Sequence, residues 1–113
     1  EEMNGYWRNY LRNDRDAEDP LACPLLAGLV GLPPAFFAIA ECDILAEQNV
    51  EMARRLQASG VPTRSVVYAG ASHSFIEAMS IAAVSIQALA DASGWLREVL
   101  LPAGAGPAAG TMA

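Results

Sequence analysis

Residues 35–75, AFFAIAECDILAEQNVEMARRLQASGVPTRSVVYAGASHSF, carry the pattern that decides the fold. Ala35 to Ala40 is a short continuous apolar run launched by Pro33-Pro34, which is how a strand covered on both faces reads. Ala46 to Ser59 then places Ala46, Val50, Ala53 and Leu56 at helical spacing, with Glu47, Glu51, Arg54 and Arg55 mostly elsewhere, and Gly60 stands where a C-terminal cap belongs. After Val61-Pro62, Thr63 to Tyr68 is rich in β-branched and aromatic residues and predicts a second strand. Strand, helix, strand is the β-α-β grammar of a parallel sheet.

Downstream, the loop AGASHSF leads into an alanine-rich helix predicted from about Glu77 to Leu100. It is apolar on more than one side, so it is expected to pack against more protein than this chain supplies. Upstream, residues 1–11 space Met3, Tyr6, Trp7, Tyr10 and Leu11 by three and four, the pattern of a short amphipathic helix. Arg12 to Pro34, rich in Asp, Pro and Gly, is expected to be a long ordered connection, a kind of segment that is often functional or wrapped on a larger body. Residues 1–100 are thus assigned to one α/β unit and 101–113, Pro, Gly and Ala without period, to a disordered tail. Two strands do not make a sheet, and the expectation is the last third of a larger α/β domain. An opening at Glu1 rather than at methionine fits a processed or trimmed piece.

A chain of 113 residues has room for one domain, and 22 alanines make its 53% hydrophobic content a weaker core than it sounds. Seven Arg, no Lys and thirteen acidic residues give a net charge of -6, the wrong sign for holding nucleic acid or anionic lipid. Cys23 and Cys42 form no C-x-x-C pair, and reduced cytosolic thiols are expected. No stretch reaches the roughly 18 apolar residues of a membrane helix, and the acidic N-terminus lacks a signal-peptide layout, so a cytoplasmic location is expected.

In an open α/β sheet, ligands bind beyond the carboxyl ends of the strands. Asp43 follows the first predicted strand directly and His73, the only histidine, follows the second. A lone loop histidine is more often a surface side chain, and an Asp at that position is more commonly a turn residue or a helix N-cap. If the two strands are neighbours, their joint occurrence at the strand ends makes a carboxylate that orients an imidazole for proton transfer an equal reading. One histidine and two separated cysteines give no zinc spacing, and Gly28 and Gly31 neither follow a strand nor open a helix. Neither metal nor coenzyme is expected.

Several ordered motifs carry a resemblance. Cys23-Pro24-Leu25, Leu32-Pro33-Pro34, Ala40-Glu41-Cys42-Asp43-Ile44-Leu45, the Leu56 to Val61 helix end and the Tyr68 to Phe75 segment together resemble the C-terminal part of bacterial hormone-sensitive-lipase-like esterases of the α/β-hydrolase superfamily. The resemblance implies an α/β-hydrolase fold completed by an N-terminal part, with Asp43 as triad acid and His73 as triad base. It also implies that Ile44, Leu45 and Phe75 line the acyl pocket, although ordinary packing is an equal reading of those three. Two departures stand out: the family's D-P-L-x-D is here Asp43-Ile44-Leu45-Ala46-Glu47, and its H-G-F is His73-Ser74-Phe75.

The nucleophile elbow G-x-S-x-G and the H-G-G-G-type oxyanion loop of such enzymes do not occur in this sequence. Gly70-Ala71-Ser72-His73-Ser74 fails at the last glycine and sets its serine beside the base. The implied activity is a serine carboxylesterase acting on small esters, with the nucleophile on a missing segment or partner chain and this chain inactive alone. The competing readings are a non-catalytic interaction subunit or degenerate hydrolase fragment, and a peptidase of the same superfamily.

Overall fold

The structure, a computed structural model, describes residues 2–101. Helix α1 (Glu2–Tyr10), strand β1 (Ala35–Ala40), helix α2 (Ala46–Ala58), strand β2 (Thr63–Tyr68) and helix α3 (Ala83–Leu100) succeed one another. The strands pair in parallel, from Ala35 opposite Thr63 to Ala40 opposite Tyr68. They therefore end level, and the loops that follow them leave the sheet at one edge. This is the β-α-β unit of a parallel sheet that the 35–75 pattern implied, and it agrees with the partial α/β-hydrolase fold that the family resemblance implied.

Alternation along the strands sends side chains to two covers. On one face, Ala35 and Phe37 pack with buried Leu29, Leu56 and Val61. On the other, Ala40, Tyr68, Ala71 and Ala88 form a second buried cluster, joined by Ala38, Val66 and Phe75. Phe36 meets Trp95 of α3 with ring centroids 5.6 Å apart. The sheet is thus the middle of three layers, α2 below and α3 above, and Ile39 within it is 1% exposed. Fully burying a Leu, Ile or Val side chain is worth about 1.5–3 kcal/mol.

The end of α2 is fixed by a Schellman motif. Gly60, at φ +80, donates its N–H to the Gln57 carbonyl, and the Val61 N–H reaches back to that of Leu56 at 3.0 Å. Left-handed backbone favours glycine here, and Val61 then packs on Leu56 as the motif's apolar contact. Sequence spacing placed this boundary within one residue.

Two expectations need revision. The helix expected from Glu77 is split: Phe75–Ala78 is a separate 3-10 turn, and α3 begins only at Ala83. Ile81 and Ala82 both donate to the Ala78 carbonyl, and Ala82 is extended, which ends the turn before α3 starts. The apolar side chains Ile76, Met79 and Ile81 around the break are all exposed. The long connection is indeed ordered but contains two further 3-10 turns, Asp14–Glu18 and Pro24–Leu26. Asn13 caps the first by accepting the Arg15 N–H at 3.0 Å, and the Arg55 guanidinium of α2 donates to the Leu25 carbonyl to tie down the second.

Helix α1 forms as its spacing indicated but buries nothing, so Tyr6, Trp7 and Tyr10 stand open. The Leu101 N–H closes α3 on the Arg97 carbonyl, and the remainder of the expected tail, residues 102–113, lies outside the described residues. Among the described residues, no helix is long and apolar enough to cross a membrane.

Candidate active site

Just past β1 the chain winds around Asp43. Its Oδ1 accepts the Leu45 N–H at 2.9 Å and its carbonyl accepts the Ala46 N–H at 3.0 Å, forming the turn that launches α2. Its second oxygen, Oδ2, lies 2.8 Å from Nδ1 of His73. The two readings of this aspartate, turn residue and imidazole partner, are both satisfied, one by each oxygen. The helix N-cap itself is Leu45, without a side-chain cap bond.

These contacts set the charges. The Leu45 N–H first, and the His73 bond second, hold the Asp43 carboxyl below its ordinary 3.8 against the opposing effect of burial. Asp43 is therefore an anion at neutral pH, and an anionic acceptor at Nδ1 keeps the ring proton on that nitrogen. Nε2 is left without a hydrogen bond among the described residues. The Asp43 side chain is 10% exposed and that of His73 69%, so the orienting group is covered while the imidazole is open to approach.

The loop that carries His73 is anchored on both sides of it. Ahead of it, the Cys42 N–H donates to the Ala71 carbonyl at 2.9 Å, and the Glu41 carboxylate accepts the Gly70 N–H at 2.7 Å. Behind it, the Phe75 ring packs on Tyr68 with centroids 5.4 Å apart, and the fully buried Ser85 donates its hydroxyl to the Phe75 carbonyl. Between these anchors Ser74 adopts φ 60, ψ 20, a left-handed conformation. A glycine would hold it at less cost, which gives the His-Ser-Phe departure a physical meaning.

The three candidates for an acyl pocket go to three places. Leu45 lines a groove of about 330 Å³ together with Trp7, Cys23, Pro24, Leu25 and Met52. Ile44 is 76% exposed, and Phe75 is engaged with Tyr68. Sequence reading did not find the roles of Glu41, Ser85 or the Tyr68–Asp91 pair. The Tyr68 hydroxyl donates to Asp91 at 2.7 Å, and burial first, then that carboxylate, pushes its pKa up to about 12. Cys23 and Cys42 are free thiols. Among the described residues, no three His, Cys, Asp or Glu side chains gather as a metal site would require.

An imidazole oriented by a buried-side carboxylate, at the carboxyl edge of a parallel sheet, is equipped to take and return a proton. Residues 1–77 match the family described as the alpha/beta hydrolase fold. The acetyl esterase of Salmonella enteritidis is 34% identical over 92 residues, which are 80% of this chain and 28% of that protein. The arylesterase of Saccharolobus solfataricus is 43% identical over 68 residues, 59% of this chain and 22% of its own length. A thermophilic, thermostable carboxylesterase cloned from a metagenomic library superposes with a TM-score of 0.84 at 36% identity, over 88% of this chain and 34% of that one. The chain therefore spans about 28% of the length of the acetyl esterases it matches.

Proposed function

The chain belongs to the α/β-hydrolase fold family, and from that membership we propose that it supplies the acid and the base of a carboxylic-ester hydrolase. The serine nucleophile and the oxyanion hole are assigned to a segment outside this sequence, since no G-x-S-x-G occurs in it. The observation that carries the reading is the 2.8 Å contact between Asp43 Oδ2 and His73 Nδ1 at adjacent strand ends.

In this reading Nε2 of His73 takes the serine hydroxyl proton as the serine oxygen attacks the ester carbonyl carbon. Backbone N–H groups of the other segment hold the oxyanion. The tetrahedral intermediate collapses, His73 returns the proton to the departing alkoxide, and an acyl-serine remains. His73 then takes a proton from water, whose oxygen attacks the acyl carbon. A second collapse releases the carboxylic acid and gives the proton back to the serine. Asp43 stays ionised throughout and stabilises the imidazolium formed at each transfer. The relatives' names, acetyl esterase and arylesterase, support acetyl and aryl esters as substrates.

The test is hydrolysis of p-nitrophenyl acetate by the assembled enzyme carrying His73→Ala. Turnover should collapse to the residual level left by binding and the oxyanion hole. Turnover near that of the parent enzyme would refute the assignment and leave the chain as a degenerate or purely structural hydrolase segment.

A further inference from the structure

We propose that Glu41 is a positioning residue for His73, acting through the Gly70 amide; this rests on the reading of His73 as the base. The strands end flush at the Ala40–Tyr68 pair. Beyond the Ala40–Tyr68 pair, the backbone lacing continues from Glu41 N–H to the Tyr68 carbonyl at 3.2 Å and from Cys42 N–H to the Ala71 carbonyl at 2.9 Å. Glu41 and Cys42 are consecutive, whereas Tyr68 and Ala71 are three positions apart. Ala69 and Gly70 are therefore looped out of the ladder, with Gly70 three positions before His73.

The Ala71 N–H closes the looped-out pair as a turn on the Tyr68 carbonyl at 3.3 Å, which leaves the Gly70 N–H in need of a partner of its own. Gly70 sits at φ +69, where an added Cβ would meet nothing within 4 Å, so the glycine serves the backbone conformation rather than a close approach. Its N–H finds the Glu41 carboxylate at 2.7 Å, a charge-assisted bond at the short end of its range. That carboxylate thus spans from one strand end to the loop of the other. Asp43 holds the ring nitrogen itself, so Glu41 is not the triad acid. Its effect on the imidazole is indirect: it fixes the first half of the loop, while Phe75 and Ser85 fix the second.

An imidazole displaced by a fraction of an ångström still binds no substrate differently but transfers its proton less well. In the assembled enzyme, Glu41→Ala and Glu41→Leu should lower kcat roughly 10- to 100-fold with KM changed less than about twofold. Glu41→Gln, whose amide oxygen still accepts the Gly70 N–H, should recover most of that loss. Hydrogen exchange at the Gly70 amide should accelerate in the Ala and Leu variants and stay slow in Gln.

Unchanged kcat in folded Ala and Leu variants would overturn the proposal, as would a Gln variant as impaired as Ala. Failure of both Ala and Leu variants to fold would also overturn it, since Glu41 would then be a stability residue. His73→Ala measured alongside separates the two levels. If it keeps its turnover, the base assignment falls; if it is inactive while Glu41→Ala is not, only the role of Glu41 falls.

Discussion

Asp43 divides its two oxygens between structure and chemistry, and that division predicts how its amide counterpart behaves. Asp43→Asn keeps an oxygen able to accept the Leu45 N–H, so the turn into α2 survives. The new NH2 group, however, donates toward Nδ1 and favours the ring proton on Nε2, the nitrogen that has to act as base. In the assembled enzyme, kcat for p-nitrophenyl acetate should fall by about 10⁴ while the fold persists. The double variant with His73→Ala should be little worse than the worse single one, because the pair acts as one unit. Multiplying losses would contradict the pairing. Ser74 is the second residue with a measurable consequence. At φ 60 its Cβ crowds the backbone, so Ser74→Gly should raise the stability of the assembled enzyme by up to about 1 kcal/mol, read as a shift in denaturant midpoint. A lower midpoint would mean that the serine side chain holds the loop in some way that outweighs its conformational strain. The departure from His-Gly-Phe was visible in the sequence, but its energetic sign needed the dihedral angle.

At the scale of the elements, legibility followed the range of the forces. β1, α2 and β2 were readable to within a residue because their signals are local: Pro33-Pro34 starts the first, Gly60 ends the second, and β-branching marks the third. The start of α3 was not, because Met79, Ala83 and Ile86 keep helical spacing across the break while Ala82 turns extended and interrupts the path. The strand ends alone left the Asp43–His73 pairing as one of two equal readings, and the family resemblance tipped it. The bonds from Glu41 to Gly70 and from Ser85 to Phe75 could not, since they depend on strand register and on where α3 lands. Packing at the α2 layer carries its own prediction. Leu56 is 5% exposed between Leu29 and Val61, so Leu56→Ala should cost about 2–5 kcal/mol of unfolding free energy in the assembled enzyme. A loss under about 1 kcal/mol would mean the Leu29 segment collapses onto the vacated space.

At the scale of the whole molecule, the described residues leave strand edges and apolar side chains uncovered. Each strand has an edge without a strand partner among the described residues. Val67, Ile86, Leu96 and Leu100 are all more than 45% exposed. Open edges and apolar faces of this kind call for a covering partner, and the larger hydrolase segment of the proposed function would provide it. The 113-residue chain by itself should therefore hydrolyse no ester and should self-associate or unfold without a cooperative transition. A monodisperse monomer with a sharp melting transition would refute the second expectation, and p-nitrophenyl acetate turnover abolished by His73→Ala would refute the first. The parts that hold the Asp43–His73 pair come from one uninterrupted run, β1 through the start of α3, with the two residues only thirty positions apart. Closing so short a loop costs little chain entropy compared with gathering distant segments. On the proposed function, this run is expected to behave as a cassette: grafting residues 35–85 between two such hydrolases should carry the acid–base pair whole, and splitting a hydrolase ahead of Pro33 should give two silent halves whose reunion is reported by ester cleavage.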